Sequence, residues 1–146
     1  MQLPGDEKTI QDLLQDQKFA VLSTYDSGQP YCNLVAFADI KEGKSIIFVS
    51  DRNTRKYRNL KKNEKVSLLI DNRTNRNIDF VEAIAVTLMG RAKEVAGEDT
   101  DSCKEYYLNK HPNLNDFFSK KGKAIFEVII DDYIIASFNT VIKVQL

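Results

Sequence analysis

Apolar positions at Ile10, Leu13 and Leu14 fall three and four apart, which predicts an amphipathic helix over residues 7–17. The period then shortens. Phe19 to Tyr25 predicts a strand, and Asp26-Ser27-Gly28-Gln29-Pro30 has the composition of a turn. Tyr31 to Ile40 predicts a second strand, so the two form a hairpin. Lys41-Glu42-Gly43-Lys44 turns the chain into Ser45 to Ser50, whose unbroken Ile46–Val49 run has the length and composition of a buried strand. Tyr57 and Leu60, three apart, mark a short helix, and Lys65 to Asp71 predicts another strand. Asn72 to Asp79 is a polar loop rich in Asn and Arg. Ala83 to Val95 is long and β-like, with Gly90 inside it, which predicts a bulge or a close backbone approach. Glu98 to Lys110 predicts a helix with Cys103, Tyr106 and Tyr107 as its apolar stripe, stopped by His111-Pro112. Leu114, Phe117 and Phe118 predict one more helical turn packed on the core. Lys123 to Ile130 and Tyr133 to Val144 predict two last strands joined by a turn at Asp131-Asp132.

Consecutive strands with short turns predict an antiparallel sheet. Six or seven of them most easily close into a small barrel, which removes exposed edges. A chain of 146 residues suits one domain spanning 1–146. Lys+Arg and Asp+Glu both number 21, and zero net charge argues against a general nucleic-acid or membrane-surface binder. Cys32 and Cys103 form no CxxC pair and read as reduced thiols. The first residues hold no apolar signal core, and no apolar run approaches the roughly 20 residues that cross a bilayer. These features predict a soluble, cytoplasmic protein.

The most informative stretch runs from Ser45 to Asn63. Arg55 and Lys56 stand where the short helix should begin, the end that carries partial positive charge and free N–H groups. A phosphate would satisfy the cations, the dipole and the amides together. The expected phosphate site is Ser50, Thr54, Arg55 and Lys56. A solvated basic face is the commoner reading of such a run, and Arg52, Arg58, Lys61, Lys62 and Lys65 crowd it too. Lys61 and Lys62 need no ligand, because cations favour a helix C-terminus.

The residue inventory excludes several chemistries. The single histidine, His111, sits at a helix end and predicts a capping or surface role rather than a triad. Clustered Cys and His ligands for zinc are absent. The six glycines fit neither a Walker loop nor a GxGxxG turn. Asp131-Asp132 reads as a solvated turn. Catalysis, if any, would depend on a bound cofactor.

An ordered set of segments then carries a family resemblance: Phe19-Ala-Val-Leu-Ser-Thr, Gln29-Pro-Tyr-Cys-Asn-Leu-Val, Ile47-Phe-Val-Ser with Thr54-Arg-Lys-Tyr-Arg-Asn-Leu, Asn63-Glu-Lys-Val-Ser-Leu-Leu and Met89-Gly-Arg-Ala. From about residue 9 to 138 the chain resembles the pyridoxamine 5'-phosphate oxidase-like flavoproteins, the FMN-binding split barrels. The resemblance implies a fold with an all-β core and flanking helices (α+β), a six-stranded antiparallel split β-barrel. It implies a homodimer with one FMN at each end of the subunit interface. It implies Arg55 and Lys56 on the FMN phosphate, Ser50 and Thr54 donating hydroxyl hydrogen bonds, and Val49 presenting backbone. Asn33, Leu34, Val35 and Ala36 would line the ribityl chain and ring, though Leu34 and Val35 read equally as core. Gly90 and Arg91 would approach from the neighbouring subunit, or Arg91 would be a solvated strand residue.

True pyridoxamine phosphate oxidases carry a C-terminal basic segment, and the sequence ends at Leu146 without one, so vitamin B6 oxidation is not expected. The region from Tyr107 to Phe138 resembles a shorter branch with haem-handling relatives. The expected function is an FMN oxidoreductase acting on an unknown small molecule, with NAD(P)H as an electron donor to test and Tyr25, Tyr31 and Tyr133 as proton-donor candidates. The alternatives are a non-catalytic flavin-storage protein and a haem- or deazaflavin-binding relative, with His111 the haem ligand to test.

Overall fold

The computed structural model describes residues 6–145. Helix α1 (Asp6–Asp16) leads into β1 (Phe19–Asp26), β2 (Gln29–Ile40) and β3 (Ser45–Asp51). Helix α2 (Arg55–Lys62) and β4 (Lys65–Asp71) follow, then α3 (Asp79–Glu82) and β5 (Ile84–Glu94). Helix α4 (Asp99–Lys110), a 3-10 turn (Pro112–Leu114) and α5 (Asn115–Ser119) precede β6 (Lys123–Ser137) and β7 (Val141–Gln145). The strands order as β3-β2-β1-β4-β5-β6-β7, every pair is antiparallel, and β3 also pairs with β6. That last pairing closes six strands into a barrel. β7 is an added strand beyond β6.

The β1–β2 connection is tighter than its composition suggests. Asp26 pairs with Gln29, so only Ser27 and Gly28 turn, with φ of 52° and 84°. Two central residues at positive φ match the twist of a two-residue hairpin. Pro30 is inside β2, opposite Tyr25, where β2 has one neighbour and its missing N–H breaks no second ladder.

Two corrections concern the C-terminal half. Asp131-Asp132 is no turn: β6 runs unbroken through it, and the chain reverses at residues 138–140. Met89 pairs with Asp132 but Gly90 with Ile130, so Asp131 is the extra residue of a bulge. The glycine is required there, because a Cβ on Gly90 would lie 2.1 Å from the Ile129 carbonyl oxygen. Helix α4 buries Cys103 and Tyr107, whereas Tyr106 is 58% exposed and leaves the predicted stripe. Helix α3 also goes unread in the sequence, being a single turn in a polar loop.

The barrel interior holds Leu22, Val35, Phe37, Ile46, Phe48, Leu68, Val86, Leu88 and Phe126. Phe48 and Phe126 stack with ring centroids 5.6 Å apart. A second cluster lies outside, where α4 covers Ala38, Ile40, Ile47, Val49 and Ile125 with Cys103 and Tyr107. Strand β3 is therefore buried on both faces from Ser45 to Ser50. That double burial is why its sequence is a continuous apolar run.

His111 caps the C-terminus of α4, its N–H donating to the Tyr107 carbonyl at 3.0 Å, but its side chain is in the core and not on the surface. Its Nε2 is 2.7 Å from the Phe37 carbonyl oxygen, and its ring lies against Tyr107. Burial pushes its pKa down despite that hydrogen bond. Beside it, Lys110 donates from Nζ to the Leu14 carbonyl at 2.6 Å, satisfying an open carbonyl near the end of α1. Both cysteines are free thiols, Cys32 exposed and Cys103 buried. Among the described residues no helix is long and apolar enough to cross a membrane.

Candidate functional site

The barrel is split between β2 and β3. Their ladder covers only Phe37–Ile40 against Ser45–Phe48, while β3 stays paired with β6 through Asp51. The first half of β2 therefore has a free edge towards the end of β3. Such an edge presents backbone donors and acceptors. Asn33, Leu34, Val35 and Ala36 lie on this bank of the seam; Val49 and Ser50 end the other.

The seam runs into the start of α2. Thr54 caps that helix, its Oγ1 accepting from the Tyr57 N–H at 3.2 Å. Thr54 Oγ1 also donates to the Asp51 carbonyl at 2.8 Å and lies 3.3 Å from Ser50 Oγ. The loop thus gathers both hydroxyls at the helix tip. Asn59 Nδ2 donates to Thr24 Oγ1 at 3.0 Å, and Tyr57 and Leu60 pack on the barrel core around Phe126. These contacts fix the helix axis, and so fix where its free N–H groups point.

The cations of this segment divide into two kinds. Arg52 and Lys61 both pair with Glu94, at 2.8 and 3.0 Å, and Lys62 pairs with Asp26 at 3.3 Å. Burial alone would raise the Glu94 pKa, but Arg52 and Lys61 outweigh it and hold the carboxyl below its usual range. Arg55, Lys56, Arg58 and Lys65 make no ion pair among the described residues, and of these only Arg55 and Lys56 open α2. The first turn of α2 carries no acidic residue either. The Arg55 guanidinium lies 4.6 Å over the Tyr31 ring, spanning the end of the seam. Lys56 is half-buried. Burial pushes its ammonium pKa down; Asp51 opposes this, and Lys123 adds to it. A desolvated cation without a directly paired carboxylate gains from a nearby anion.

Ser50 and Thr54 are therefore brought together at the tip of α2, where Arg55 reaches over Tyr31 of β2 and Lys56 feels Asp51 and Lys123. Asn33 Oδ1 is buried and has no hydrogen-bond partner among the described residues. Val35 is core, as is Val49, while Leu34 is 64% exposed on the outer face. Gly90 and Arg91 lie on the far side of the barrel, and Arg91 contacts Asp131 at 3.3 Å. Sequence reasoning missed Tyr31 as the residue beneath Arg55, and Lys123, which pairs with Asp51 at 2.6 Å. No periodicity links either to α2; only the β-register does. Cavities of about 330 Å³ at Phe80 and Phe138, and about 490 Å³ beside Lys61 and Glu94, lie elsewhere. Among the described residues, no group of His, Cys, Asp and Glu is placed to hold a metal.

A closed six-stranded antiparallel barrel, opened at one seam and flanked by five helices, defines the split-barrel class. The sequence matches the pyridoxamine 5'-phosphate oxidase family model over residues 6–134, and the chain belongs to that family. A comparison with curated proteins finds no match. A haem-binding protein from Mycobacterium smegmatis superposes with a TM-score of 0.85 at 12% identity, over 99% of this chain and 60% of that one. ChuZ from Campylobacter jejuni gives 0.84 at 10% identity, over 99% and 61%. This chain thus spans about three fifths of either protein. An FAD-binding protein from Mesorhizobium loti gives 0.73 at 17% identity, over 91% and 92%. At these identities the likeness is one of fold.

Proposed function

We propose that this protein binds FMN in the seam and acts as an oxidoreductase on a small molecule. One observation carries the reading: both cations at the α2 N-terminus lack a carboxylate partner among the described residues while Arg52, Lys61 and Lys62 have one, and Arg58 and Lys65, also without an ion pair, stand away from that terminus. In this reading Arg55 and Lys56 hold the terminal phosphate, and the Ser50 and Thr54 hydroxyls, which donate to the Asp51 carbonyl in this structure, rotate towards it on binding. The Val49 backbone lies beside the same group. Asn33 to Ala36 follow the ribityl chain and ring edge, and the orphaned Asn33 Oδ1 accepts from a hydroxyl or ring N–H. FMN in that place would supply reversible hydride and electron exchange. The chain binds and orients the ring and screens one side of it from water.

A homodimer completes the reading. Leu34 pairs in register with Val21, Val21 with Leu69, Leu69 with Thr87 and Thr87 with Ile134. Strand alternation turns this mostly apolar row outwards. A second copy packed there would cover it, and would bring its own Gly90 and Arg91 towards the first copy's seam. An isologous pair is the commonest oligomer.

A haem held by imidazole is disfavoured, because the single histidine is inside the core on the Phe37 carbonyl. A non-catalytic flavin carrier is the second reading, favoured by the lack of a free acid–base pair along the seam; Tyr31 is already stacked on Arg55. The visible spectrum of the purified protein, with and without added FMN, tests the first claim. A colourless protein that takes up no FMN overturns it. Bleaching of the bound flavin by NADH or NADPH favours the enzyme over the carrier.

A further inference from the structure

Lys123 opens β6 in register with Asp51, the last residue of β3. Its side chain is 8% exposed, its Nζ is 2.6 Å from Asp51 Oδ1, and the same Nζ lies 3.8 Å over the Phe117 ring of α5. Next to this pair, the Arg52 N–H donates to the Gly122 carbonyl at 2.8 Å, so the two strand ends are locked together. Asp51 also belongs to the loop that forms the anion site: its carbonyl accepts from both Ser50 Oγ and Thr54 Oγ1. A carboxylate at that position repels a phosphate and attracts Lys56. Both effects would work against anion binding.

We infer that Lys123 is a positioning residue for the phosphate site, neutralising Asp51 and holding its carboxylate away so that the Lys56 charge stays available to a phosphoester. This inference rests on the flavin-phosphate reading. The electrostatics are consistent with it, since Lys56 feels both partners, Asp51 raising its pKa and Lys123 lowering it. Lys123 does not touch the ligand in this scheme. It acts through Asp51: the Phe117 ring lies over the buried Lys123 ammonium, while the Asp51 side chain stays 46% exposed. The pairing also explains why an acidic residue is tolerated three residues before a cap that receives an anion.

The test is a double-mutant cycle read with two ligands, FMN and riboflavin, which differ only by the phosphate. Lys123→Met should weaken FMN roughly tenfold and leave riboflavin nearly unchanged, the size expected for one unbalanced charge near a partly desolvated site. Asp51→Asn should tighten FMN or leave it unchanged. Combining the two should restore FMN affinity to the Asp51→Asn level, because Lys123 then has no charge left to balance. Equal loss of FMN and riboflavin in Lys123→Met would mean a general packing role and overturn the inference. Weaker FMN binding in Asp51→Asn would overturn it as well, without relying on the lysine variant folding. A wild type that binds neither ligand would instead overturn the flavin reading and take this inference with it.

Discussion

Replacing Lys56 with methionine should separate stability from binding. The ammonium is half-buried, its pKa is pushed down chiefly by burial, and it has no ion-pair partner among the described residues. Methionine keeps the packing of the stem and removes the desolvated charge. The ligand-free protein should therefore melt at the same temperature or higher. FMN affinity should move the other way. A hydrogen bond to a charged group contributes about 1.5–3 kcal/mol. At about 1.4 kcal/mol per decade, loss of one such bond weakens FMN roughly ten- to a hundredfold. Lys62→Met is the control on the same helix. Its Nζ reaches Asp26 at 3.3 Å in an exposed pair, so its loss should change stability by no more than about 1 kcal/mol and leave FMN affinity alone. Flavin fluorescence titration gives the affinities and thermal unfolding the stabilities. Equal, small changes in FMN affinity at both positions would refute the reasoning and reduce the cluster to a diffuse basic surface.

Three further outcomes are expected. Gly90→Ala should destabilise by about 3 kcal/mol or more, measured by denaturant unfolding, because the new methyl meets rigid backbone at Ile129 rather than a movable side chain. For Lys110, burial lowers the pKa from 10.5 to about 8. Between those values the folded protein binds fewer protons than the unfolded one, so raising the pH stabilises it. Lys110→Met should flatten that rise in unfolding free energy between pH about 8 and 10.5, and an unchanged slope would refute the assignment. Leu34→Lys, on the exposed outer row, should leave the barrel folded but shift the mass in sedimentation towards a monomer. A monomeric wild type would remove the basis for the proposed pair.

Much of this molecule was readable from residue order. Alternation and turn residues located the strands through β5, because a half-buried pleat imposes a period of two. Gly90 announced a close backbone approach, since an isolated glycine in a strand has few other causes. Thr54-Arg55-Lys56 marked a helix start bearing the wrong charge, a local conflict that sequence can display. The remainder depended on partners distant in the chain. The bulge at Asp131 exists only because β5 and β6 pair around Gly90, so a local reading of two acidic residues gave a turn instead. His111 was legible as a helix end, but only the barrel puts the Phe37 carbonyl beside its ring and buries it. The split itself arises where β3 leaves β2 yet keeps β6, a choice made by ring closure of the whole sheet. Which cations find carboxylates was decided in the same way: Glu94 and Asp26 reach this segment from other strands, and they satisfy Arg52, Lys61 and Lys62 but not Arg55, Lys56 or Arg58.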